Sequence, residues 1–180
     1  LLQSGTLLNL TEEHVLLSGF TRDSSTTHDG KFTVGAAVTG KLNVTINNID
    51  DSLSMYDFRG AEITASLGGQ LSGGTYQLVQ VGIYTVDEYS YDGSNITLTC
   101  YDNLIKFDQP CKDTLVTFPR TVKQLVDQAC LVAGVNLANV SIPNESFSVT
   151  KMPQQWDTMT WHDVIAYCAQ IACCFVKILP

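Results

Sequence analysis

The sequence has no apolar run approaching the ~18 residues that a membrane-spanning helix needs. It is also short of cations: ten Lys and Arg stand against eighteen Asp and Glu, a net charge of −8 with a pI near 4.6. A domain that neutralises phosphates normally carries a basic patch and a pI above ~9, so specific nucleic-acid binding is not expected. Membrane insertion is not expected either. The opening stretch LLQSGTLLNLTEEH lacks a basic n-region and a small-residue cleavage site. The chain begins at Leu1 instead of Met and reads as a piece of something longer.

Cysteine is present but not in a metal-binding pattern. Cys100, Cys111, Cys130, Cys168, Cys173 and Cys174 contain no C-x-x-C and no repeated spacing, which argues against a zinc framework. Most fall where strand faces or helices are expected, so they read as reduced, buried, small apolar groups. The adjacent pair Cys173-Cys174 reads as packing, because bridging neighbours needs a strained ring. Histidine is scarce too. His14, His28 and His162 lie at the start of a strand, in a Ser/Thr-rich loop and in the first turn of a helix, with no H-E-x-x-H spacing. His162 and Asp163 are adjacent and point to different parts of a helix surface, so they do not make a base and its orienter. No catalytic residue, metal ligand or cofactor-binding residue is expected.

What the chain does contain is alternation. Leu42, Val44 and Ile46 alternate with polar neighbours, and the same two-residue period recurs over residues 61–67 and 96–100. Residues 32–38 read as a further strand, with a bulge or close backbone approach at Gly35. Residues 76–86 are apolar on both faces, with Val79, Val81 and Ile83 on one and Leu78, Tyr84 and Val86 on the other, and are expected to be covered on both sides. Gly68-Gly69, Gly73-Gly74 and Asp92-Gly93 read as hairpin punctuation. Short antiparallel strands without helical periodicity point to a barrel.

Beyond residue 112 the period lengthens. Val122, Leu125, Val126, Ala129 and Cys130 form one helical stripe, with Thr121 and Gln124 placed as a capping box and Gly134 as the residue after the end. A second helix opens at Thr160, with Asp163 three residues on. Residues 175–179 read as a strand. The expected class is therefore α+β, mainly β: an antiparallel β-barrel domain over 1–112, then a small α/β subdomain with two helices over 113–180, cut short at Pro180.

Other candidates have plain explanations. The acidic pairs Glu12-Glu13, Asp50-Asp51 and Asp87-Glu88 suit turns and strand ends, and adjacency says nothing about the spacing a glycosidase needs. Residues 68–74 lack the G-K-[ST] ending of a phosphate loop and precede a strand. The N-x-[ST] triplets at Asn9, Asn43, Asn95, Asn139 and Asn144 follow from strand composition. Tyr84, Tyr89 and Tyr91 lie near one strand end, as a barrel rim or a sugar-stacking platform would require.

Several of these segments in order resemble the first barrel of phage tail hub proteins. They are Gly35-Ala36-Ala37 before residues 42–46, Phe58-Arg59-Gly60-Ala61-Glu62-Ile63, Val81-Gly82-Ile83-Tyr84-Thr85-Val86-Asp87, and Thr99-Cys100-Tyr101-Asp102-Asn103-Leu104. Phe118-Pro119-Arg120-Thr121, Gly134-Val135 and residues 160–165, with Ala169 and Ala172, are similar to the small α/β unit that follows in that family. The resemblance implies a non-enzymatic structural part of a phage or prophage tail, a baseplate hub subunit joining the tail tube to a central fibre or spike. It also implies self-association, as a trimer for the full-length chain, with nucleic acid passing through the lumen without being read. Other tail proteins, such as the distal tail, tape measure or tail fibre, are the implied partners. The implied location is the virion tail, with assembly in the bacterial cytoplasm. The competing readings are a β-rich carbohydrate-binding module and the non-catalytic N-terminal part of a tail-associated hydrolase.

Overall fold

The computed structural model describes residues 2–3, 6–27, 31 and 33–180. Two compact units emerge. One gathers Leu1–Ser24, Gly40–Asp102 and Ile178–Pro180, and the other Ser25–Thr39 and Asn103–Lys177.

The first unit is a curled antiparallel sheet. Its strands are β1 (Leu2–Gln3), β2 (Thr6–Leu7), β3 (Thr21–Asp23), β4 (Lys41–Asn47), β5 (Glu62–Gln70), β6 (Tyr76–Tyr91) and β7 (Asn95–Asp102). Their order across the sheet is β2-β1-β5-β6-β7-β4-β3. The class is α+β and mainly β, and the wall is a half-barrel. Among the described residues no ladder joins β2 to β3.

The alternation read from the sequence sets the register. Leu42 faces Cys100, Val44 faces Leu98 and Ile46 faces Ile96, and all six side chains are buried. The residues between them carry the polar pairing, with Thr45 and Thr97 hydroxyls 3.3 Å apart. A one-residue slip would turn every apolar side chain outward, so this register is strongly specified. Phe58, Ala61, Tyr84 and Val86 complete the core.

Strand β6 departs from expectation. Only its middle is covered: Tyr84 and Val86 are buried and Val81 and Ile83 half-buried, whereas residues 76–80 are exposed throughout. The apolar pattern on both faces marks cover for 81–86 alone. Two irregularities bend the strand, an extra residue at Val81 opposite the Ala65/Ser66 step and another at Asp87 between Val86 and Glu88. Gly82 is required at the bend, since a Cβ there would meet the Tyr84 ring at 2.6 Å. The Tyr84 hydroxyl, buried with its ring, accepts a 2.7 Å hydrogen bond from Arg22 Nε.

The second unit holds β8 (Arg120–Thr121), α1 (Val122–Ala133), β9 (Ser148–Val149) and α2 (Trp161–Ile171). Both helices start as expected. Thr121 and Gln124 form a reciprocal capping box, as do Thr160 and Asp163, and Gly134 ends α1 in the left-handed region. Val122, Leu125, Ala129, Trp161, Ile165 and Cys168 are buried. Trp156 stands edge-on to both Phe118 and Trp161, at 5.6 and 5.7 Å between centroids.

Two expected strands are absent. Phe32 lies outside the described residues, and the rest of 32–38 forms a turn at Val34 and Gly35 followed by an isolated bridge at Ala37. Gly35, at φ 85°, packs against α2 so closely that a Cβ would strike Gln170 Cγ at 2.1 Å. That close approach, which the sequence reading allowed, prevents an extended run. Residues 175–179 likewise make one bridge, Val176 to Ala37 in parallel, and no ladder.

Replacing Leu98 with Ala is expected to cost about 2–5 kcal/mol of stability, because the side chain is fully buried. Gly82→Ala should also destabilise through the Tyr84 clash. Val79→Asp, on the exposed part of the same strand, should leave the urea midpoint nearly unchanged. Denaturation curves of the three variants check this, and a large loss for Val79→Asp would contradict the exposure of residues 76–80.

Candidate interaction surface

The most distinctive surface is the distal half of the β5–β6 hairpin. Ser66 pairs with Gln80, Leu67 with Val79, Gly68 with Leu78, Gly69 with Gln77 and Gln70 with Tyr76. The turn closes with Leu71 N–H donating to the Thr75 carbonyl at 2.8 Å and Gly74 N–H to the Leu71 carbonyl at 2.9 Å. Gly74 has φ 80°, a conformation that costs a side-chain-bearing residue but not glycine. The turn therefore lies at 71–75, and Gly68 and Gly69, read from sequence as punctuation, are strand residues. Gly68 has a role there: Leu78 and Tyr76 lie over the space its side chain would take.

Every residue from 66 to 80 is exposed. One face carries Leu67 and Val79, and the other Leu78 and Tyr76, the last two 72% and 68% exposed. Backbone groups are open as well. Strand β1 pairs with β5 only at Glu62, and β7 pairs with β6 only from Tyr84 onward. Both outer edges of the arm thus lack a neighbouring strand among the described residues. No Asp, Glu, Lys, Arg or His occurs within 66–80, in a chain whose net charge is −8.

The titratable candidates do not converge. His14 Nδ1 accepts from Thr11 N–H at 3.3 Å and lies 3.0 Å from the Thr11 hydroxyl. His28 lies outside the described residues. His162 is separated from Asp163 in function as expected, since Asp163 caps Thr160. Sequence reading missed its actual partners: Nδ1 lies 2.7 Å from Asp108 Oδ1 and Nε2 lies 2.7 Å from the Ala37 carbonyl oxygen. A separation of 54 residues hid the first contact and 125 the second. His162 thus ties Asp108 to the Ala37 carbonyl.

Of the acidic pairs, Glu12-Glu13 and Asp50-Asp51 lie at turns, whereas Asp87-Glu88 lie inside β6 at its second bulge and not at a strand end. Asp51, at φ 60°, accepts from the Ser54 hydroxyl and from Tyr91 Oη, and these bonds hold its carboxyl below the usual range, the Ser54 bond most of all. Asp92 accepts from Asn95 and Ser94 N–H at 2.7 and 3.1 Å, which lowers its pKa, the Asn95 N–H being the largest cause. Buried Asn48 was also missed. It accepts from Leu53 N–H and donates to Ser54 Oγ, and so shapes the loop after β4.

The tyrosine platform loses one of its three members, while Tyr89 and Tyr91 stay exposed. Tyr84 is 3% exposed, Tyr89 sits edge-on to Phe58, and Tyr91 is turned to Asp51 and the Gly93 carbonyl. Among the described residues no group of three or more His, Cys, Asp or Glu could hold a metal ion. No described helix is long and apolar enough to cross a membrane.

No family model matches the chain, and no curated protein matches it. Among solved structures it is similar to the 43 kDa tail protein of prophage MuSo2 from Shewanella oneidensis, at 17% identity and a TM-score of 0.44. The match covers 84% of this chain and 49% of that one, so the chain spans about half the length of the protein it matches.

The depressed carboxyl of Asp92 stabilises its turn at pH values above the ordinary carboxylate range of ~3.9, and that support is lost as pH falls through the lower folded value. Acidification should therefore lower the protection of the Ser94 and Asn95 amides relative to their intrinsic exchange rates at the same pH, and Asp92→Asn should remove most of that acid response. In unit two, His162→Ala should lower the thermal midpoint by a few degrees. An unchanged midpoint would show that the two 2.7 Å contacts contribute nothing.

Proposed function

We propose that the chain is a structural subunit of a phage or prophage tail, a hub subunit at the junction of tail tube and central fibre or spike. On this reading it assembles with copies of itself through the β5–β6 arm. The single observation that carries the assembly role is the arm: an extended hairpin, uncharged, carrying exposed apolar side chains on both faces and, among the described residues, open along both edges. Proteins normally blunt exposed strand edges with charge, proline or a covering element, and the arm has none of these. An edge left in that state is suited to strand addition by another chain.

The order of segments in the sequence that resembles tail hubs supports the specific setting. The charge supports it too, because a −8 subunit around a lumen repels phosphates and leaves transit unobstructed. The carbohydrate-binding alternative has lost Tyr84 from its platform, and no constellation among the described residues favours hydrolysis.

The test is the oligomeric state of the full-length protein, by sedimentation and negative-stain microscopy. Rings of three subunits are expected, and a strict monomer across the micromolar range would overturn the proposal. Leu78→Asp and Tyr76→Asp should abolish rings while leaving the thermal midpoint within about 2 °C of the parent, since both side chains are exposed in the subunit.

A further inference from the structure

The six cysteines divide sharply. Cys100, Cys111, Cys130 and Cys168 are buried, while Cys173 is exposed and Cys174 partly so. Burial pushes the Cys100 and Cys168 thiols up to about 12 and, with a smaller contribution from Asp163, Cys111 up to about 11. Those thiols are protonated and shielded, hence inert. The pair at 173–174 is not the packing element its sequence position suggested. Cys173 stands at φ 54°, in the turn that ends α2, with Cys173 N–H donating to the Gln170 carbonyl and Cys174 N–H to the Ala169 carbonyl.

That turn also anchors a strap. The Cys174 carbonyl accepts from Gly35 N–H at 2.8 Å, and Val176 N–H donates to the Ala36 carbonyl at 2.9 Å. These two bonds flank the lone bridge between Ala37 and Val176. Cys174 thus belongs to both features, ending the turn through its N–H and holding the strap through its carbonyl.

We propose that Cys173 and Cys174 form a redox-sensitive vicinal dithiol, a modification site for small-molecule disulfides of the glutathione class, whose closure loosens the strap at Gly35 and Val176. Exposed Cys173 reacts first. Its thiolate attacks one sulfur of the oxidised disulfide, a Cys173–S bond to glutathione forms, the original S–S bond breaks, and one glutathione leaves as thiolate and takes up a proton. Cys174, whose thiol is pushed up by partial burial and by Cys173, then gives up its proton, attacks the Cys173 sulfur and expels the second glutathione, which takes up that proton. The two protein thiols lose two electrons and two protons, and the disulfide is reduced to two thiols.

Adjacent Cα atoms are ~3.8 Å apart across a trans peptide, below the ~4.4–6.8 Å usual for a disulfide. Ring closure therefore forces the 173–174 backbone to rearrange and withdraws the Cys174 carbonyl from Gly35. The same strain makes the bond readily reducible.

The experiment exposes the full chain to oxidised glutathione and follows intact mass and amide exchange. The parent is expected to lose the mass of two hydrogens, reversibly with dithiothreitol, with exchange at the Gly35 and Val176 amides rising ~10-fold or more. Cys174→Ser should stop at one glutathione added, and Cys173→Ser should not react. Three results would overturn the proposal: a persistent glutathione adduct on the parent, no reaction at all, or ring closure with unchanged exchange at those two amides.

Discussion

The structure of the first unit depends on one strand that serves two partners. Strand β6 pairs with β5 along its first two thirds and with β7 along its last half, and only Tyr84 and Thr85 are shared. Each bulge lies next to that overlap, so the sheet turns where the pairing changes hands. Burial of Tyr84 and Val86 at the turning point, at roughly 1.5–3 kcal/mol for a large apolar side chain, secures the strand in the core. The anchored middle lets the distal end extend outward without unravelling.

The distal end reverses the usual economy of a surface. An isolated two-stranded ribbon is marginal in water, and this one gains little from its own side chains beyond Leu78 and Tyr76 lying over Gly68. Its register is inherited from the covered part of β5 and β6. Charge, which would discourage association, is missing from the arm although acidic residues are plentiful elsewhere. The arm carries the features of a strand-addition surface, and in the role proposed above a second copy of the chain would cover it.

The second unit is held by different means. Its helices are fixed at their starts by reciprocal caps and at their faces by an aromatic array, whereas the segment around Gly35 to Ala37 is fixed by polar contacts. Gly35 N–H reaches the Cys174 carbonyl, and the Ala37 carbonyl faces His162. Helix α2 thus serves two purposes on two faces, packing on the core through Trp161, Ile165 and Cys168 and receiving a loop across Gln170. A strand could not occupy that position, because extended backbone would not bring Gly35 against the helix.

Local chemistry made much of this legible beforehand. The alternation of Leu42, Val44 and Ile46 with polar neighbours determined a half-buried strand, and Thr121 with Gln124 and Thr160 with Asp163 determined where the helices begin, because period and capping act over three or four residues. The tertiary structure alone decided which apolar residues are covered. Val79 and Tyr84 look alike in sequence, yet only the second has strands on both sides and a core behind it. The same holds for His162 with Asp108 and for Ala37 with Val176. In each case the deciding partner lies tens of residues away, and burial depends on partners that no local pattern encodes.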